Sequence, residues 1–142
     1  MFGDGSEYLK TLLDAGANPN IISEHNETSL MTASRYDDPE YIQTLLAVGV
    51  DPNVQHENGS TALISKIYYM GFEEDRQRHL QGLSLLLEVG ANPNIRDNEG
   101  HSALYYANLD LSSLAYNGQD KWRGHKNCPE AAQLLRQYGA TE

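Results

Sequence analysis

Few side chains in this chain are of a type and spacing that could do chemistry. Five histidines stand at positions 25, 56, 79, 101 and 125, and no two are spaced to share one turn of a helix, so a paired-imidazole metal site is not expected. The single cysteine, Cys128, follows closely on His125, which leaves two readings open. It is either a thiolate partnered by that imidazole or a packed or helix-capping residue. A phosphate-cradling glycine loop with its lysine is missing, as are a nucleophile elbow and any paired catalytic motif. These residues imply no cofactor and no metal, and the chain does not read as an enzyme. An enzyme using the Cys128 and His125 loop is the catalytic alternative.

The 142 residues carry a formal charge of −10. Nucleic acid is not an expected ligand, because phosphate binding draws on clustered Lys and Arg. The charge is uneven: residues 1–57 hold ten acids and two bases, whereas residues 58–142 hold ten acids and eight bases. An acidic half steers basic partners, and it also keeps a small protein in solution. One cysteine without a partner suits a reducing, cytoplasmic setting, and no apolar run approaches the roughly 20 residues that span a bilayer. Neither a basic N-terminal segment nor a secretory apolar core precedes residue 15.

The elements that position the polar residues are set by an internal repeat. Leu45-Leu46-Ala47-Val48-Gly49-Val50-Asp51-Pro52-Asn53 has near copies at Leu12 to Asn20 and Leu86 to Asn94. Gly16, Gly49 and Gly90 keep the same two intervals as Asn20, Asn53 and Asn94, the second interval being eight positions longer than the first. A second motif follows each copy, and Asn20 to Thr28, Asn53 to Thr61 and Asn94 to Ser102 are each eight apart. It reads Thr28-Ser-Leu-Met-Thr-Ala33, Thr61-Ala-Leu-Ile-Ser-Lys66 and Ser102-Ala-Leu-Tyr-Tyr-Ala107. Glycine just past a helix takes the left-handed conformation that ends it, and the Asn-Pro-Asn or Asp-Pro-Asn that follows turns the chain.

A unit of about 33 residues opening on a Thr-Pro-Leu-His-like tetrapeptide resembles the ankyrin repeat. The resemblance covers nearly the whole chain, although neither the proline nor the histidine of that tetrapeptide survives in any copy. It implies an all-α ankyrin-repeat solenoid, helix-turn-helix units joined by short β-hairpin-like fingers, in a single domain over residues 1–142. About 3.5 repeats are expected: a half repeat over 6–20 and repeats over about 21–53, 54–94 and 95–142. Asn20, Asn53 and Asn94 are expected to hydrogen-bond the backbone of the next turn. His25, His56 and His101 fall on or beside fingers.

In chain order, Ser6 reads as an N-cap, with Leu9, Leu12 and Leu13 on one face of a short helix ending near Gly16. This helix matches only the second helix of a repeat, leaving an apolar face to be closed by Met1-Phe2, by a segment lost in trimming, or by another molecule. Asp37-Asp38-Pro39-Glu40 and Pro129-Glu130 mark helix starts, the latter capped by Asn127 or Cys128. Lys66 replaces the small residue found at Ala33 and Ala107, and its stem is expected to snorkel outward or reach an acid.

Two repeats carry insertions. The stretch from Thr61 to Leu86 is eight positions longer than its counterpart from Thr28 to Leu45, and the excess within Met70 to Gly82 is expected to lengthen both helices. Glu73-Glu74-Asp75 there reads as a solvated helical face. The stretch from Ser102 to Leu134 is longer than that from Thr28 to Leu45 by fifteen positions, with the excess between Asn108 and Asn127.

The resemblance further implies binding on the concave surface of fingers and first helices. It maps the variable positions to Ile22, Glu24, His25, Glu27, Arg35 and Tyr36, to Gln55, Glu57, Asn58, Ser60, Tyr68 and Tyr69, and to Arg96, Asn98, Glu99, His101, Leu109 and Asp110. Tyr36, Tyr68, Tyr69, Glu57, Arg96 and His101 are the candidate contacts on that surface, with Tyr68 and Tyr69 open to a core role instead. A rival site is the fourth-repeat insertion, where Trp122 and Arg123 either anchor a partner or pin the loop. The function implied is a non-catalytic protein-protein interaction module, with a basic protein as partner and no membrane or nucleic acid. An inhibitor of the immunity-protein or antitoxin type suits the acidic build, and a targeting module of a longer effector is the alternative.

Overall fold

The computed structural model describes residues 5–36, 38–71, 76–110 and 126–142. Among them are seven helices: α1 (Gly5–Asp14), α2 (Ser29–Arg35), α3 (Pro39–Ala47), α4 (Ala62–Met70), α5 (Gln77–Glu88), α6 (Ala103–Asn108) and α7 (Pro129–Gln137). Extended pairing among these residues is confined to two antiparallel bridges, Ile22 with Thr28 and Arg96 with Ser102, at the bases of two fingers.

Local sequence dictates where these helices start and stop. Thr28, Thr61 and Ser102 are extended N-caps whose hydroxyls accept the N–H of Met31, Ile64 and Tyr105 at 3.2, 3.3 and 3.3 Å. Asp38 caps α3 by accepting the Tyr41 N–H at 3.0 Å, with Pro39 in the first turn. Gly16, Gly49, Gly90 and Gly139 all adopt φ between 82° and 95° just past a helix. In the copy after α3, Gly49 N–H donates to the Leu46 carbonyl and Val50 N–H to the Leu45 carbonyl, so two end carbonyls are satisfied.

The chain then turns on a repeated side-chain bond. Asn18, Asp51 and Asn92 each accept the N–H two positions on, from Asn20, Asn53 and Asn94, at 2.9, 2.8 and 2.9 Å.

Packing arranges the helices in two layers. Inner helices α2, α4 and α6 lie side by side, and outer helices α1, α3, α5 and α7 lie side by side behind them. Between the layers Leu30, Ile42, Leu45, Leu63, Ile67, Leu83, Leu86, Leu104 and Leu135 are fully or almost fully buried. Each such side chain contributes about 1.5–3 kcal/mol from burial alone.

Asparagine staples successive turns. Asn53 donates to the Gly90 carbonyl at 3.3 Å and accepts the Asn92 N–H at 2.7 Å, and Asn94 donates to the Gly139 carbonyl at 2.9 Å and accepts the Thr141 N–H at 2.9 Å. Asn20, at the same repeat position, makes no such bond among the described residues.

Several expectations need correction. Ser6 is a buried residue within α1 and not its cap, since the helix already begins at Gly5. Leu12 is 57% exposed while Leu9 is buried, because among the described residues α1 packs chiefly on α3 and is not paired with an inner helix of its own. Leu135, not Leu134, stands four positions before its glycine as Leu45 and Leu86 do, and it is the fully buried one. The fourth-repeat stretch from Ser102 therefore runs to Leu135, one position further than the sequence reading placed it. The third-repeat insertion does lengthen its helices, to 9 and 12 residues in α4 and α5 against 7 and 9 in α2 and α3. Glu73, Glu74 and Asp75 lie outside the described residues.

Of the two arrangements expected for Lys66, the outward one is not adopted, for the side chain is buried completely. The facing position on α5 explains how. A Cβ on Gly82 would lie 2.8 Å from Lys66 Cε and 2.9 Å from its Nζ, so the glycine leaves the volume that the lysine occupies. Helix propensity alone would make Gly82→Ala stabilising by about 0.5–1 kcal/mol. Crowding of an enclosed side chain reverses the sign, and urea denaturation should show a loss of about 1–2 kcal/mol. In a Lys66→Ala background the same change should be neutral or stabilising. A gain from Gly82→Ala with Lys66 in place would refute this packing account.

Candidate protein-binding groove

The fingers project from one edge of the helical layers and are tied to one another through their backbones. Glu57 N–H donates to the His25 carbonyl at 3.1 Å, and Asn98 N–H donates to the Asn58 carbonyl at 3.0 Å. Side chains reinforce both joints: His25 Nδ1 lies 3.0 Å from Glu57 Oε2, and Asn98 Nδ2 donates to the Glu57 carbonyl at 2.8 Å. Asn26, Gly59 and Gly100 occupy the matching tip position with φ of 60°, 83° and 85°. Gly59 is required twice over, since a Cβ there would also come within 2.6 Å of the Asn98 backbone nitrogen.

Between the last two fingers and the inner helices lies a groove of about 340 Å³. Tyr68 and Tyr69 of α4 form one wall, with ring centroids 5.0 Å apart and planes at 83°. Tyr106 of α6 continues it, 6.1 Å from Tyr68 at 88°. From α2, Arg35 reaches across so that its guanidinium carbon lies 5.6 Å from the centre of the Tyr69 ring while Nη2 donates to Glu27 Oε1 at 2.7 Å. Its Nε is buried without a hydrogen-bond partner among the described residues. On the finger side the groove is lined by His56, Asn58, Asp97, Asn98 and Glu99.

Asp97 fixes this corner. One oxygen accepts the N–H groups of Glu99 and His101 at 3.0 and 2.9 Å, and the other accepts the Tyr106 hydroxyl at 2.5 Å. Burial, followed by the Asp97 hydrogen bond and charge, holds the Tyr106 hydroxyl well above the ordinary tyrosine range. Tyr68 is raised in the same direction by burial and then by Tyr69. Both phenols therefore stay neutral donors at physiological pH.

Of the residues expected to bind, Tyr68 and Tyr69 are half-buried walls of the groove. Tyr36 is 75% exposed at the end of α2 and does not line it. Glu57 is an exposed finger-tip residue, and His101 stacks on Tyr105 with centroids 3.8 Å apart and planes 4° from parallel. Arg96 is committed to the fold's own end, donating to the Gly100 carbonyl at 2.9 Å and the Glu142 carbonyl at 2.8 Å. Trp122 and Arg123 lie outside the described residues, as does His125. Sequence reasoning did not map Met31, His56, Ile64, Ser65, Asp97 or Tyr106 to this surface, and Tyr106 and Asp97 are the two that shape the groove's corner. The repeat register held a signal, since Tyr106 falls where Thr32 and Ser65 stand in the other copies and a large aromatic replaces a small hydroxyl.

The sequence matches the family model for ankyrin repeats (three copies) over residues 1–97 and over residues 30–121. No curated protein matches the chain. This chain belongs to the ankyrin repeat family, whose repeats are protein-protein interaction modules and are typically non-catalytic. No helix among the described residues is long and apolar enough to cross a membrane. Nor do the described residues bring together three His, Cys, Asp or Glu side chains that could hold a metal ion.

Cys128 is buried at the start of α7, its sulfur 3.2 Å from Met70 Sδ, and burial pushes its thiol above the ordinary range. A thiol so placed is a poor nucleophile at neutral pH. Reaction of the native protein with a chromogenic disulfide at about pH 7.5 should be at least about tenfold slower than in urea. Equal rates would reinstate the thiolate reading.

Raised tyrosine pKa values carry a sign for stability. The folded Tyr106 hydroxyl titrates above the unfolded one, so its contribution is complete below the unfolded value of 10.0 and is lost as pH rises beyond it. Tyr106→Phe is expected to cost about 1–2 kcal/mol at neutral pH and to flatten the fall in stability above about pH 10. An unchanged alkaline limb in Tyr106→Phe would show that Asp97 and Tyr106 do not act as described.

Proposed function

We propose that this chain is a non-catalytic binding protein that holds a basic protein partner on the surface formed by its fingers and inner helices. The observation that carries this reading is the groove, which places aromatic side chains beside finger carboxylates on the concave side of the solenoid. Its polarity supports the choice of partner. The fingers and inner helices along that side carry Glu24, Glu27, Glu57, Asp97, Glu99 and Asp110 against Arg35 and Arg96. Both arginines are engaged within the protein, one by Glu27 and one by backbone carbonyls. The excess of acid over residues 1–57 extends the same field and would speed encounter with a cationic surface.

A cytoplasmic inhibitor of the immunity-protein or antitoxin type, masking a basic enzyme, is the form of this function that the acidic build favours. The fourth-repeat insertion with Trp122 and Arg123 is the competing contact. Capture of partners from the native organism's lysate, with wild type beside Tyr36→Ala, Tyr69→Ala and Trp122→Ala, decides between them. Loss of the captured protein with Tyr69→Ala and retention with Trp122→Ala is expected, with affinity falling steeply as salt is raised. Retention with Tyr69→Ala and loss with Trp122→Ala would move the site to the insertion, and affinity independent of salt would remove the basic-partner assignment.

A further inference from the structure

The edge of the stack that begins with α1 carries a surface the groove does not use. Counting back from the glycine that ends each outer helix, Tyr8 and Leu12 stand eight and four positions before Gly16. Tyr41 and Leu45, Gly82 and Leu86, and Ala131 and Leu135 stand at the same distances before Gly49, Gly90 and Gly139. In those three copies the leucine is completely buried, the glycine and the alanine are buried, and Tyr41 packs partly on the core. In α1 the pair is 63% and 57% exposed. The difference follows from pairing: α3, α5 and α7 each pack on the inner helix of their own repeat, whereas among the described residues α1 is not paired with one.

The first finger adds to this edge. Ile21 is 65% exposed where its counterparts Val54 and Ile95 are half-buried. Ile22 is exposed where the other copies hold the polar Gln55 and Arg96, whose side chains hydrogen-bond backbone carbonyls. Four large apolar side chains gathered at one edge mark an interaction surface. Charge decides between occupants. Residues 5–28 hold Glu7, Asp14, Glu24 and Glu27 against Lys10 as their single permanent cation. A second copy docked through the same edge would set those carboxylates against themselves, because a two-fold interface pairs a patch with its own duplicate. A copy docked head to tail would offer the exposed polar side chains of α7, Gln133 and Gln137 among them, to an apolar stripe. A cationic partner gains from the field of the edge.

The repeat also specifies the element that fits. Inner helices in this chain have 6 to 9 residues, and each lies along an outer helix. A helix of about two turns with apolar residues three and four apart presents the stripe that such packing needs. We propose that the α1 edge is a second docking surface, on which a basic amphipathic helix of a partner protein packs over Tyr8 and Leu12 as α2 packs on α3, its lysines or arginines beside Glu7 and Asp14. This surface stands apart from the groove, and neither reading depends on the other.

The test uses the whole chain and a blocked peptide of about fourteen residues, long enough to form a helix, with leucine at every third or fourth position and lysine and alanine between. Binding is followed by NMR. Saturable shifts of the Tyr8 ring and the Leu12 methyls are expected, with a dissociation constant on the order of 100 μM and no movement of Tyr69. A peptide of the same composition with its leucines spread around the helix should bind about tenfold more weakly, as should one with glutamate in place of lysine. Leu12→Gln and Tyr8→Gln put a good helix former at an exposed position, so both variants fold, and each should weaken binding about tenfold. Tyr8 and Leu12 signals that stay unmoved, binding unchanged in Leu12→Gln, or a glutamate peptide as tight as the lysine one overturns the proposal. A concentration-dependent dimer of the free chain that Leu12→Gln abolishes would overturn it in favour of a second copy. Binding that appears only in Phe2→Ser would give the edge to the chain's own first residues. None of these outcomes touches the groove, which Tyr69→Ala tests by itself.

Discussion

No helix pair in this chain can bury its apolar face alone; each does so only against the next pair, and the rest of the structure follows from that constraint. Leu45, Leu86 and Leu135 are completely buried because each outer helix that carries one is backed by an inner helix and flanked by another outer one. To stack, the pairs must leave one outer helix and enter the next finger at the same angle every time. The left-handed glycine after α3, α5 and α7 sets that angle, and the asparagine four positions beyond Gly49 and Gly90 fastens each turn to the next. Local backbone geometry thus fixes the spacing, and burial supplies the energy.

The same constraint explains why the two sides of the stack differ. On α7 the side chains of Gln133, Arg136 and Gln137 are exposed, and Asn94 and Arg96 donate to the backbone carbonyls of Gly139 and Glu142. Near the N-terminal side α1 rests chiefly on α3, with Tyr8, Leu12 and Ile22 exposed, and Asn20 lacks the staple its counterparts make. Cohesion in a stacked chain is a sum of neighbour terms, so the α1 end has fewer of them than the α4 and α5 pair.

The groove is a by-product of stacking that polar chemistry has specialised. Inner helices present the same face at the same height, so residues seven and eight positions past each cap, Arg35 and Tyr36, Tyr68 and Tyr69, and Leu109 and Asp110, form rows across the repeats. Fingers held by backbone bonds supply the opposite wall. Asp97 joins the two, since it organises its own finger through two N–H groups and grips Tyr106 of the following helix. Asp97 braces one corner of the groove, while Tyr69 and Arg35 are half-buried and Glu99 is exposed at its rim.

By itself the sequence determined the repeat, the helix starts at Thr28, Thr61, Ser102 and Pro39, and the glycine stops, because each depends on backbone conformations that only a few residue types accept. It also marked the row that carries Tyr68 and Tyr69, since repeat register is a property of spacing. The tertiary structure alone decided three other matters. Lys66 is enclosed because Gly82, on the helix that faces it, vacates its space. Tyr106 lines the groove because Asp97 in the preceding finger accepts its hydroxyl. Leu12 remains exposed although it carries the same motif as the buried Leu45 and Leu86, because among the described residues α1 packs chiefly on α3 and is not paired with an inner helix of its own. In each case the outcome depends on which atoms stand across the gap, and spacing along the chain does not encode that.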